Sequence, residues 1–137
     1  MSTKDIQSFE EFWPFYVREH SKKATRVFHF VGTTAAGLTA LAAIALRRPA
    51  LIPVALVAGY GPAWVSHFFI EKNKPASFKY PLWSFAADWV MWSKMLEGTM
   101  DAEVERVMAA NSNGQGHAEE ETTAGYTHYQ AGTNGVN

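Results

Sequence analysis

The chain contains no cysteine. That absence excludes disulfide frameworks, zinc-thiolate sites, iron-sulfur clusters and cysteine nucleophiles, and it leaves any metal to imidazole and oxygen ligands. An excess of charge is missing too: 12 Lys and Arg stand against 13 Asp and Glu, a formal net charge of -1 over 137 residues. The basic residues form no extended stripe, so nucleic acid is not expected as a partner. No phosphate-cradling glycine loop, dinucleotide fingerprint, or serine nucleophile with an acid partner is present. No apolar run precedes position 27, so a cleaved secretory leader is not expected. The length fits one domain with a single small core.

What the chain does have is two long apolar runs. From Val27 to Leu46 no residue is formally charged when His29 is neutral. Twenty helical residues cover about 30 Å, the hydrocarbon thickness of a bilayer. Arg47, Arg48 and Pro49 end the run. A second run follows over 51–70, interrupted by Pro53 and by Gly59, Gly61 and Pro62. Neighbouring membrane helices can re-satisfy backbone groups freed by such residues, so it reads as one kinked span. The short connection makes the pair an antiparallel hairpin.

Before the hairpin, Ser8 and Glu11 have capping-box spacing, and Phe9, Phe12, Trp13, Tyr16 and Val17 recur at helical intervals. The pattern predicts an amphipathic helix over about 9–20, with Pro14 in its second turn and His20 on its apolar stripe. After the hairpin, residues 82–96 carry Trp83, Trp89 and Trp92. This segment is short and aromatic, as expected of an interfacial helix. The fold class is therefore all-α: a two-span membrane hairpin with an N-terminal amphipathic helix and a C-terminal interfacial helix. Residues 1–110 form the domain. Residues 111–137, which include His117 and His128, lack apolar density and read as a disordered tail. Arg18, Lys22, Lys23, Arg26, Lys72, Lys74 and Lys79 outnumber Arg47 and Arg48 of the hairpin loop, which places both termini on the cytoplasmic side.

This layout brings three histidines to one level. His29 opens the first span, His67 closes the second, and His20 lies nine residues before His29. Gly32, Ala36, Ala40 and Ala43 form a small-residue strip that lets the helices approach closely, with Ala63 and Gly59 on the face of His67. Glu71 follows His67 by four residues, a spacing that lets two side chains grip one ion. Histidines with a carboxylate form a ligand set suited to non-haem iron. The alternative is that each histidine is an interfacial hydrogen-bonder and Glu71 a solvated charge. A haem protein would need a gap between imidazoles that the small-residue strip disfavours. A hairpin that only binds or scaffolds lipid remains the non-catalytic reading.

The stretches "FEEFWPFYVREHSKKATRVFHFVGT" and "GYGPAWVSHFFIEKNKPASFKYPLWSFAADWVMW" resemble the 2-hydroxy-fatty-acid dioxygenase family, which has fungal members in the endoplasmic reticulum and a bacterial branch. The matching positions are Tyr16, His20, His29, His67, Glu71, Lys72, Pro75 and Ala76. The turn after His20 departs from the family's Asn-Pro-x-Asn-Arg pattern, and the segment between the spans is much shorter than in fungal members. The resemblance implies an iron(II) enzyme that uses molecular oxygen to shorten a 2-hydroxy fatty acid by one carbon. It assigns His20, His29 and His67 to the iron, with Glu71 as a fourth ligand or an orienter of a histidine. Arg18, Arg26 and Lys72 are candidates to neutralise the substrate carboxylate. Tyr16 and Asp88 are candidate supporting groups. Membrane lipid is the expected surroundings, and a bacterial inner membrane the expected location.

Overall fold

A computed structural model describes residues 5–114, and it is all-α, with no strand among the described residues. Helix α1 spans Phe9–Glu19, α2 Lys23–Ala45, α3 Leu51–Ser66 and α4 Pro81–Leu96. A π-helical turn, His67–Glu71, prolongs α3, and a 3-10 turn, Ala76–Phe78, precedes α4. A last helix, α5, covers 100–114. It runs past position 111, where the tail was expected to begin; 115–137, with His117 and His128, lie outside the described residues. Two compact units divide the chain, Met1–Val104 and Glu105–Asn137, and the site below lies wholly within the first.

The expected cap of α1 is present. Ser8 Oγ accepts from the Glu11 amide at 3.2 Å, and Glu11 Oε2 reaches back to the Gln7 amide at 3.1 Å. Two otherwise unpaired donors are satisfied by this reciprocal pair. Pro14 lies inside the helix without ending it. The stripe Phe12, Trp13, Tyr16 and Val17 is buried, and His20 continues it at 1 % exposure. Phe9 and Phe12 meet Trp83, and Phe12 meets Tyr80, so aromatic packing holds α1 against the start of α4.

Among the described residues, helices α2 and α3 are the two long and apolar enough to cross a membrane, α3 being counted with its π turn, and only 22 % of each apolar window is buried. Their burial is inverted relative to a water-soluble core. Val31, Leu38, Leu41, Ile44, Val57 and Phe69 are exposed, whereas Ala43, Ala55, Ala63 and Ser66 are inside. Large contiguous apolar surface of this kind marks a face that meets something other than water. Small residues set how closely the pair approaches. A Cβ on Gly32 would lie 2.9 Å from the Gly59 carbonyl oxygen, and one on Gly59 would lie 3.2 Å from Ala36 Cβ. Backbone thus meets backbone about one turn along α2 from His29. Arg47, at φ 51°, closes α2 in the left-handed region, and the Arg48 amide returns to the Ala43 carbonyl.

Polar groups within the apolar helices are satisfied locally. Thr34, Thr39 and Ser66 hydroxyls donate to carbonyls three or four residues back. Helix α4 packs on α2 through its tryptophans: Trp89 lies over Gly37, and Trp92 donates its indole N–H to Thr34 Oγ1 at 2.8 Å. These rings therefore serve packing as well as any interface. The result that matters for function is that α4 delivers Ser84 and Asp88 to the end of the hairpin carrying His29 and His67.

Candidate metal centre

Three imidazoles meet tip to tip. The Nε2 atoms of His20, His29 and His67 are separated by 3.2, 3.2 and 3.1 Å, forming a nearly equilateral triangle. All three residues are buried, at 1, 5 and 2 % exposure. The rings stand almost perpendicular to one another, with interplanar angles of 81–87°. No other residue type joins this group among the described residues able to hold a metal.

The opposite nitrogen of each ring decides which tautomer is present. His20 Nδ1 lies 2.7 Å from the Tyr16 carbonyl oxygen, which can only accept. His29 Nδ1 lies 3.1 Å from Asp88 Oδ1, a carboxylate oxygen. His67 Nδ1 lies 2.7 Å from Asn73 Oδ1, and the amide is oriented by its own Nδ2, which donates to the Glu19 carbonyl at 3.1 Å and to Glu19 Oε2 at 2.8 Å. Each ring therefore donates at Nδ1 and keeps a lone pair at Nε2. Three buried acceptors then face one another with no donor among them. That arrangement is repulsive by itself, and a cation between the three atoms resolves it. Edges of 3.1–3.2 Å match the separation of adjacent nitrogens about 2.1 Å from a single ion. Ligating histidines characteristically donate their other N–H to a carboxylate, carbonyl or similar acceptor, and here all three do so. The three nitrogens fit a single metal ion. They leave no room for a macrocycle between the imidazoles.

Burial, and then the neighbouring imidazoles of His29 and His67, holds the His20 pKa well below its ordinary range, so this ring is in the neutral, metal-binding form. Burial and then the Asp88 charge push the Tyr16 hydroxyl well up, so it remains protonated and donates to Asp88 Oδ1. The Tyr16 ring also stacks on His20 at 4.0 Å between centroids.

A cavity of about 10 Å³ adjoins the triangle, bounded by Tyr60, Ala63, Trp64, Ala76, Ser84 and Asp88 besides the histidines. It holds roughly one water-sized group. Ser84, on its wall, is 3 % exposed and its hydroxyl has no hydrogen-bond partner among the described residues.

Of the remaining residues singled out in the sequence, Tyr16 reaches the cavity and Arg18 does not. Glu71 is engaged elsewhere: Oε1 accepts from the Ser21 amide at 3.1 Å and the Ser21 hydroxyl at 2.6 Å, and Oε2 from the Lys22 amide at 3.3 Å and the Thr25 hydroxyl at 2.6 Å. It anchors the start of α2, where negative charge complements the helix dipole. Arg26 is buried and donates to the His20 and Ser21 carbonyls at 2.9 and 2.6 Å and to Asp101 at 2.7 Å. It pins the loop that carries His20. Lys72 closes the π turn at φ 61° and lines a surface hollow with Phe68 and Asn73.

Two functional features carried no sequence signal strong enough to name them. One is the π turn itself, a rare element frequent at functional sites. The other is Asn73, whose amide returns to the His67 carbonyl at 3.0 Å while its side chain orients the ring. A carboxamide directly after a helix-terminating residue was the available clue.

Fold and site together define an all-helical protein whose two long apolar helices carry a buried tri-histidine cluster able to hold a metal. Residues 6–100 match the family described as 2-hydroxy-palmitic acid dioxygenase Mpo1-like, and the chain belongs to that family. No curated protein and no solved structure matches it.

Proposed function

We propose that the protein is an iron(II)-dependent dioxygenase that shortens 2-hydroxy fatty acids by one carbon at a membrane surface. The observation carrying this reading is the convergence of three Nε2 lone pairs whose rings are each fixed by a donated Nδ1–H. The family description supports this substrate class and reaction type.

His20, His29 and His67 would hold the metal. Iron bound there would supply Lewis acidity and one-electron chemistry with oxygen. The chain's own residues do the positioning. Asp88 orients His29 and holds Tyr16 in place, Asn73 orients His67, and the Tyr16 carbonyl orients His20. A 2-hydroxy acid offers adjacent carboxylate and hydroxyl oxygens, a pair suited to chelating an ion that three imidazoles would hold. Arg26 serves the His20 loop rather than the substrate, and Glu71 serves the start of α2. The apolar exterior of α2 and α3 seats the hairpin in lipid, with the site at the end flanked by Arg18, Lys22, Lys23 and Lys72.

The test is protein purified without a histidine tag, anaerobically in detergent, and reconstituted with iron(II). About one iron per chain is expected, with oxygen uptake and an acid one carbon shorter from a 2-hydroxy fatty acid. Protein that stays metal-free and consumes no oxygen across a chain-length series overturns the reading in favour of a lipid-binding hairpin.

A further inference from the structure

Beside the histidine cavity lies a second hollow, of about 50 Å³, between α2, α3 and α4. Ala36, Ala55 and Gly59 form its narrow walls, and Leu56, Phe85 and Trp89 its outer side. The two hollows share Tyr60 and Asp88 in their linings. They therefore adjoin one another at Tyr60 and Asp88, with polar groups gathered at the histidine end. Along α3 the distance from Tyr60 to Ala55 is five residues, or about 7 Å of helix. At the far end Leu56 is 52 % and Phe85 53 % exposed, so the crevice opens sideways onto the apolar surface of the helices. At the near end the buried Ser84 hydroxyl, without a partner, lines the cavity. A buried hydroxyl without a partner is costly, and a ligand oxygen would satisfy it.

We propose that this crevice is the acyl-chain site of the metal centre. A single linear chain enters sideways from the hydrocarbon, its oxygen-bearing end in the histidine cavity against the Ser84 hydroxyl and its first methylenes between Ala36, Ala55 and Gly59. The chemistry favours such an occupant. An amphiphile with one polar end matches a slot that is polar at one end and apolar along its length, and small walls admit an unbranched chain but no ring. Ala55 and Leu56 then set the preferred chain length. The nature of the polar end rests on the dioxygenase reading; the crevice itself is testable without turnover.

Trp89 in the crevice wall supplies the readout. Protein loaded with zinc, which has no redox chemistry, is placed in unbrominated phospholipid discs and titrated with fatty acids brominated at mid-chain; W89F isolates the contribution of this ring. The expected result is saturable quenching of Trp89, displaced by unlabelled 2-hydroxy fatty acid, whereas brominated phospholipid quenches without saturation or displacement. Ala55→Leu should shift the best-displacing chain to shorter lengths and Leu56→Ala to longer ones, with metal content unchanged in both. Ser84→Ala should weaken displacement several-fold without lowering Tm, because it deletes a hydroxyl that lacks a partner; a purely structural Ser84 would lower Tm and leave displacement intact. Quenching that is not displaceable overturns the proposal, as does a chain-length order unaltered in both Ala55→Leu and Leu56→Ala. Intact oxygen uptake by iron-loaded protein with such an unaltered order overturns the crevice alone. Displaceable quenching in a protein that takes up no oxygen overturns the dioxygenase reading alone.

Discussion

Two polar clusters sit four residues apart at the end of α3, and they are wired in opposite ways. Around Glu71, two acceptor oxygens meet four donors, and the network is complete. Around His67, three acceptor nitrogens meet one another and no donor. The first arrangement is what a chain builds to hold a helix in place. The second is not satisfied by the chain's own donors, and a cation held between the three nitrogens would complete it. The contrast separates scaffold from site more sharply than residue type does, since a carboxylate is ordinarily as good a metal ligand as an imidazole.

The largest expected effect is at the open cluster. His29→Ala or His67→Ala should abolish metal binding, measured as metal per chain after reconstitution, while helicity is retained. Next is the support behind it. Asn73→Ala leaves the His67 ring free to turn and should weaken metal affinity about 10–100-fold, measured by competition with a chelator. Glu71→Gln tests the contrast directly. Metal content should stay at the wild-type level while stability falls by about 1–3 kcal/mol as charge-assisted hydrogen bonds at the start of α2 weaken; a folded variant that loses its metal would make Glu71 a ligand. The smallest effect belongs to Asp101. The Arg26 hydrogen bond, aided by the Lys23 charge, holds its carboxyl below the usual range. A carboxyl lowered on folding adds stability above its ordinary pKa of about 3.9, and that contribution fades as pH falls below it. Asp101→Asn should therefore lower Tm slightly near neutrality and converge with wild type below about pH 4.

Much of this was legible in the sequence for physical reasons. Helix α1 could be read from Ser8 and Glu11, because capping is local, and the hairpin from two uncharged runs joined by a few residues. The meeting of His20, His29 and His67 follows from antiparallel geometry, which puts the start of one helix beside the end of the other. Partner choice was less legible. Four-residue spacing put Glu71 on the face of His67, but spacing cannot show that Ser21, Lys22 and Thr25 gather nearer to it. The same holds for Arg26, whose place between two carbonyls and Asp101 depends on the path of the loop after His20. The π turn has no periodic signature, and Asn73 matters only because the chain reverses at Lys72.

The locked tautomers carry an electrostatic corollary. Three neutral imidazoles and the carboxylate of Asp88 bring a single negative charge to the centre. Filling it with a divalent ion would displace no proton from the rings and leave one positive charge unmatched where water is scarce, a costly condition. A free carboxylic acid cancels that charge on arrival, and an ester or alcohol of the same length does not. On the dioxygenase reading, the donated Nδ1–H groups that fix the three rings would thereby favour a free acid over an ester.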